Sequence, residues 1–151
     1  MTRTIVASAT REIVIGFDQP FCVIGERINP TGRKKLAAEL ENDDFTTVER
    51  DALEQIICGA TVLDVNSGAV FTNKMAIDPR YADNNFVEPP LMKKLIERIQ
   101  AITDAPLCID SSVPGALEAG LMACNGRPLL NSVTGEEERL ELVLPLVKKY
   151  N

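Results

Sequence analysis

Two short apolar runs, Leu107–Ile109 and Leu129–Leu130, each stop abruptly on a polar side chain, Asp110 in one case and Asn131 in the other. Between them lies a helical pattern from Val113 to Cys124, closed by Asn125-Gly126. Strand, helix and strand in that order form a βαβ unit with a parallel, buried pair. Buried parallel strands discharge their polar residues at their C-terminal ends, where α/β folds bind ligands. Asp110 and Asn131 are therefore expected side by side on one rim. The same logic collects Glu26 and Asn29, Asp64 and Asn66, Ser111 and Ser132 at the ends of neighbouring strands. Such a rim suits a neutral heterocycle rich in donors, because a carboxylate takes two parallel N–H groups and a carboxamide offers one donor and one acceptor. It suits a phosphate poorly, and neither a P-loop nor a GxGxxG turn is present.

What the chain lacks narrows the chemistry further. It has no histidine, which removes Ser-His-Asp and Cys-His catalysis and any histidine ligand to a metal or to corrinoid cobalt. Cys22, Cys58, Cys108 and Cys124 are far apart without CxxC spacing and are expected to be buried free thiols, with no metal site. Net charge is −6 and the isoelectric point about 4.7, against the basic stripe that nucleic acid requires. No apolar run reaches the roughly 20 residues of a membrane span, and the start lacks a secretory leader. A cytoplasmic protein is expected. With 151 residues, 45% of them hydrophobic and 25% charged, the chain is long enough for one domain with a real core.

The elements that must position the rim can be read in order. Thr4–Val6 and Glu12–Ile15 suggest a hairpin, and Phe21–Gly25 a first buried strand that breaks into a polar loop at Glu26. Arg33–Glu41 has helical spacing; Arg33, Lys34 and Lys35 form a solvated face or meet an acidic tail of a ligand. Thr46 and Glu49 fit a capping box before a helix whose apolar face is Val48, Ala52, Ile56, Leu53 and Ile57. Ala60–Val65 is the second strand. Val70–Pro90 reads as a long loop in which Tyr81 and Phe86 are lid residues or a small core. Pro89-Pro90 then open a helix facing inward through Leu91, Leu95, Ile96 and Ile99. A final helix spans Glu136–Tyr150, with acids first and Lys148 and Lys149 last, as the helix dipole favours.

Several polar residues have a plain alternative role. Asp110 could cap the next helix, although Ser111 and Ser112 can do so instead. Glu26 and Arg27 could form a local ion pair, and Asp64 and Asn66 an Asx-turn around Gly68.

Four βα units of one hand make half of the eight in a (β/α)₈ barrel, which typically needs about 250 residues. The expected organisation is an N-terminal hairpin that plugs the barrel over residues 1–20, then the N-terminal half of a barrel, truncated, over 21–151. A four-stranded open sheet of this kind presents an unpaired apolar edge.

The stretch Gly25-Glu-Arg-Ile-Asn-Pro-Thr-Gly-Arg-Lys-Lys-Leu36 closely resembles the opening of the pterin-binding methyltransferase family. That family includes methyltetrahydrofolate:corrinoid protein methyltransferases and the folate module of cobalamin-dependent methionine synthase. Gly59-Ala-Thr-Val-Leu-Asp-Val-Asn66, Leu107-Cys-Ile-Asp110-Ser and Leu130-Asn131-Ser132 follow in the family's order. The resemblance implies a (β/α)₈ TIM barrel holding a pterin on its C-terminal rim. By the same resemblance Asp110 and Asn131 are pterin ligands, Glu26 lies near the folate, and Asp64 and Asn66 match a further motif, with Asn29 and Ser132 beside them. The family's remaining site residues lie in its second half and have no counterpart here. The implied reaction is methyl transfer between 5-methyltetrahydrofolate and a corrinoid carried by a partner protein, part of one-carbon metabolism. A homodimer is one option for the full-length form. The alternatives are the folate module of methionine synthase, dihydropteroate synthase, and an inactive half-barrel fragment. The second of these is disfavoured because the first loop reads Glu26-Arg-Ile-Asn.

Overall fold

The computed structural model describes residues 2–150; Met1 and Asn151, the outermost residues of the two expected segments, lie outside them. Its centre is a parallel sheet of β3 (Ile24–Ile28), β4 (Val62–Asn66), β5 (Leu107–Asp110) and β6 (Leu129–Asn131), hydrogen-bonded in that order. Sequential parallel neighbours joined by helical crossovers are the arrangement of four consecutive barrel staves. The fold is the mixed α/β, partial-barrel type that the strand tally implied.

Side chains alternate across each strand, so the sheet has two unlike faces. Leu63, Val65, Leu107 and Ile109 point to the helices and are at most 2% exposed, packing with Met92, Leu95, Ile96 and Ile99 of α4 (Asn84–Ile102). Ala116 and Leu117 of α5 (Pro114–Ala123) and Val143 of α6 (Glu137–Tyr150) extend this core. The other face carries Val62, Asp64, Asn66, Cys108, Asp110, Leu129 and Asn131, the set that would line a barrel interior.

The N-terminal hairpin, β1 (Thr4–Ala7) and β2 (Glu12–Ile15), closes the lower end of that interior face. Val6 is buried against Val62 and Cys108. Ala7 and Arg127 exchange two backbone hydrogen bonds of 2.8 and 2.7 Å, which tie the hairpin to the approach of β6.

Several expectations are corrected. The first strand is Ile24–Ile28, not Phe21–Gly25, and it runs through Glu26 and Arg27 with a register shift between Gly25 and Ile28. Phe21 and Val23 precede the strand and Ile24 opens β3 at the edge of the sheet, and all three are exposed rather than buried. In α2 (Thr46–Ile57) there is no capping box: Thr46 is the first helical residue, and Asp44 Oδ1 accepts its N–H at 3.0 Å. The inward face of α2 is Thr47, Val48, Asp51, Ala52 and Gln55, while Leu53 and Ile57 face outward. Arg33 is no free cation, because it donates to Asp51 at 2.8 Å and to the Arg27 carbonyl. It precedes α1 (Lys34–Glu41).

Residues 70–90 are not a long loop. They form α3 (Thr72–Ile77), a 3₁₀ turn (Pro79–Ala82) and the first turns of α4. Buried Glu41 binds the start of α3 through Asn73 Nδ2 (2.9 Å) and the Lys74 N–H (2.5 Å). Tyr81 stacks edge-on to Phe86 at 5.2 Å and tilts against Phe71 at 6.3 Å, so these aromatics make a small core. α4 starts six residues before Pro90 because Asp83 caps it, its Oδ1 accepting from the Asn85 N–H. Of the cysteines, Cys108 alone is fully buried; Cys22 and Cys124 are half-buried and Cys58 is exposed, all as free thiols.

Candidate functional site on the interior face

Register builds the site in two rows. Asn66 pairs with Asp110, and Asp110 with Asn131, so a carboxylate sits between two carboxamides at the C-terminal ends of three strands. One step down, Asp64 pairs with Cys108, and Cys108 with Leu129. Asp64 and Cys108 stand two residues before Asn66 and Asp110, which puts them on the same face.

Asn66 links the upper row. Its Nδ2 donates to Asp110 Oδ2 at 2.8 Å, while its Oδ1 accepts the Gly68 N–H at 2.7 Å in an Asx-turn. The turn and the contact with Asp110 thus coexist, each using one end of the amide. Asp110 is not a helix cap. Ser111 Oγ takes the Val113 N–H at 2.9 Å, and the Ser111 N–H donates to the Asn131 carbonyl at 2.9 Å. Asp110 Oδ1 is left without a hydrogen bond among the described residues.

Below the rim an open cleft of about 390 Å³ is lined by Ile24, Glu26, Asp64, Cys108, Leu129 and Asn131, among others. This lies within the size range of small-molecule sites. A larger hollow of about 520 Å³ beside Phe17 and Phe21 has no carboxylate and lies outside the polar rows. Polar chemistry favours the smaller cleft.

Asp64 is its floor. The residue is 3% exposed, and its Oδ2 has no partner among the described residues. Burial pushes its carboxyl above the ordinary value of 3.8, and the nearby charges of Asp110 and Glu26 push the same way; the Cys108 thiol and the Asn131 amide oppose them. Burial, with Asp64 beside it, also pushes the Cys108 thiol up, which makes it a poor nucleophile.

The raised carboxyl has a consequence for stability. The folded state holds a proton that the unfolded state releases above about pH 3.8, so this residue's contribution falls as pH rises from there to its folded value. Asp64→Asn is therefore expected to flatten that part of the pH–stability curve, by at most about 1.4 kcal/mol per pH unit. Urea unfolding of both proteins between pH 4 and pH 8 measures it; identical slopes would refute the assignment.

The remaining expected site residues are more peripheral. Glu26 lines the cleft but is exposed, and it makes no ion pair with Arg27 among the described residues. Asn29 is half-buried one residue beyond β3, and its Oδ1 accepts the Thr31 N–H at 2.9 Å. Ser132 follows β6 and is exposed. Two neighbours of the rim escaped the sequence reading: Cys108, which the strand alternation places beside Asp64, and Glu88, whose burial beneath the rim has no sequence signal because its partners lie 21 and 23 residues away.

No helix among the described residues is long and apolar enough to cross a membrane. A family model for pterin binding enzymes matches residues 25–151. A methylcorrinoid:tetrahydrofolate methyltransferase of Eubacterium limosum is 31% identical over 127 residues, covering 82% of this chain and 40% of that protein. The chain thus spans about two-fifths of that relative's length. With the family model covering residues 25–151 and the parallel strand order consistent with it, the chain belongs to the pterin binding enzyme family.

Proposed function

We propose that this chain contributes the pterin-holding face of an enzyme that moves a methyl group between a corrinoid protein and tetrahydrofolate. The reading rests on the row Asn66–Asp110–Asn131 above Asp64, whose Oδ2 has no partner among the described residues, and on the likeness to a relative whose name states that reaction. A pterin edge carries adjacent N–H donors, and a carboxylate accepts two of them in parallel. In this reading Asp110 does so, with Asn66 donating to Oδ2 and Oδ1 without a hydrogen bond among the described residues. Asn131 supplies a donor and an acceptor beside it. Asp64 meets the ring from below, and Glu26 stands at the open side.

The corrinoid of a partner protein supplies the cobalt centre that gives or takes the methyl group. This chain's residues supply orientation and electrostatics. Methyl exchange at the pterin N5 puts positive charge on that nitrogen, and fixed carboxylates stabilise it without reorganising during the reaction. Ile24 and Leu129 shed water from the ring faces. In this reading the substrate is tetrahydrofolate or its 5-methyl form, and the protein works as part of a longer barrel that can form a homodimer.

Calorimetric titration of the intact chain with 5-methyltetrahydrofolate tests the reading. Saturable binding of the folate with no response to p-aminobenzoate is expected. Turnover that depends on p-aminobenzoate would instead favour dihydropteroate synthesis, and absence of folate binding would overturn the pterin site.

A further inference from the structure

Glu88 is 3% exposed on the inner side of α4, next to Val87 and Leu91 in the apolar core. Its Oε2 accepts two hydroxyls, Ser111 Oγ at 2.6 Å and Ser67 Oγ at 3.3 Å. Both serines are buried, at 2% and 0% exposure. Each directly follows a rim residue: Ser67 follows Asn66, and Ser111 follows Asp110.

Stability alone does not call for this arrangement. A carboxylate under a sheet gives up its hydration, and two hydroxyl donors restore only part of it. An apolar side chain of similar volume, with alanines facing it, packs the same space without that cost. What the carboxylate adds is geometry. One oxygen fixes the points at which two adjacent strands leave the sheet. Through Ser111 the restraint continues to the Val113 N–H and to the Asn131 carbonyl. Across the top, Asn66 Nδ2 and Asp110 Oδ2 close the circuit at 2.8 Å.

We infer that Glu88 is a positioning residue for the pterin site, holding Asn66 and Asp110 in register from beneath through the Ser67 and Ser111 hydroxyls. The inference rests on the pterin reading above. Glu88 touches no ligand in this scheme; it acts through Asp110, whose orientation toward a paired donor edge tolerates only small errors.

The test is calorimetry of the intact chain with 5-methyltetrahydrofolate, alongside thermal unfolding, for Glu88→Gln, Asp110→Asn and the double variant. Glutamine keeps the volume and one acceptor but loses the charge that draws both hydroxyls together. The expected result is a rise in Kd of about tenfold for folded Glu88→Gln, shrinking to less than twofold when Asp110 is already asparagine. A purely structural role predicts a lowered Tm, with Kd either unchanged or changed equally in both backgrounds; either Kd pattern overturns the inference. Should Glu88→Gln fail to fold, Ser67→Ala and Ser111→Ala take its place, and unchanged affinity in both is equally fatal. Wild-type protein that binds no folate would sink the pterin reading itself. Normal wild-type binding with an indifferent Glu88→Gln would sink only the role of Glu88.

Discussion

Asp110→Asn is expected to weaken binding of 5-methyltetrahydrofolate by roughly 1–3 kcal/mol, a rise in Kd of about 5- to 150-fold. The substitution keeps shape and volume but replaces one of two acceptor oxygens by an NH2 group. At the rim, Asn66 Nδ2 already uses Oδ2 of Asp110, so the amide oxygen of the variant is drawn to Asn66. Its NH2 group is then turned toward the place where the pterin's own donors arrive. Donor meets donor, and a charge-assisted pair is lost at once. Calorimetry measures the change, with circular dichroism showing that the fold survives. Unchanged affinity would remove Asp110 from the site.

The largest effect on stability is expected beneath the same strand. Ile109 is fully buried between α4 and α5, and Ile109→Ala should cost about 2–5 kcal/mol. Its neighbour across the interface is Gly120 of α5. A Cβ there would lie 2.5 Å from Ile109 Cγ2 and 3.0 Å from Met92 Cγ. Close contact between α5 and the sheet therefore requires glycine opposite isoleucine. Gly120→Ala alone should destabilise by about 1–3 kcal/mol through overpacking, less the ~1 kcal/mol that alanine gains over glycine in a helix.

Combined with Ile109→Ala the sign should reverse. The branched carbon at 2.5 Å is gone, the new methyl enters the cavity, and flexible Met92 can adjust by the remaining few tenths of an ångström. Gly120→Ala should then be neutral or stabilising in the Ile109→Ala background. Urea unfolding of the four proteins gives the coupling. Additive losses would show that the two side chains do not share the space the packing assigns them.

The sequence by itself determined the parts of this protein that depend on local order and alternation. Short continuous apolar runs ending in Asp110 and Asn131 sufficed to place both residues at one end of a parallel pair, because strand direction and crossover hand leave no other choice. The hairpin, the four strands and their order, and the resemblance to pterin-binding enzymes were legible for the same reason. Asn125-Gly126 located the turn after α5, and the N-terminal acids of α6 located its start to within one residue.

Only the tertiary structure decided what depends on distant partners. Pro89-Pro90 suggested a helix start, yet Asp83 and the buried residues Val87 and Glu88 carried the helix back to Asn84. Phe21 and Ile24 looked like core, but Phe21 lies ahead of the strand and Ile24 opens its edge, and both are exposed. Asn66 could be read in sequence as an Asx-turn residue, and only the structure showed that the other end of the same amide donates to Asp110. Glu88 was silent altogether. Its role is set by two serine hydroxyls brought beneath it by neighbouring strands, and hydrogen bonds across a crossover leave no periodic trace in the chain that makes them.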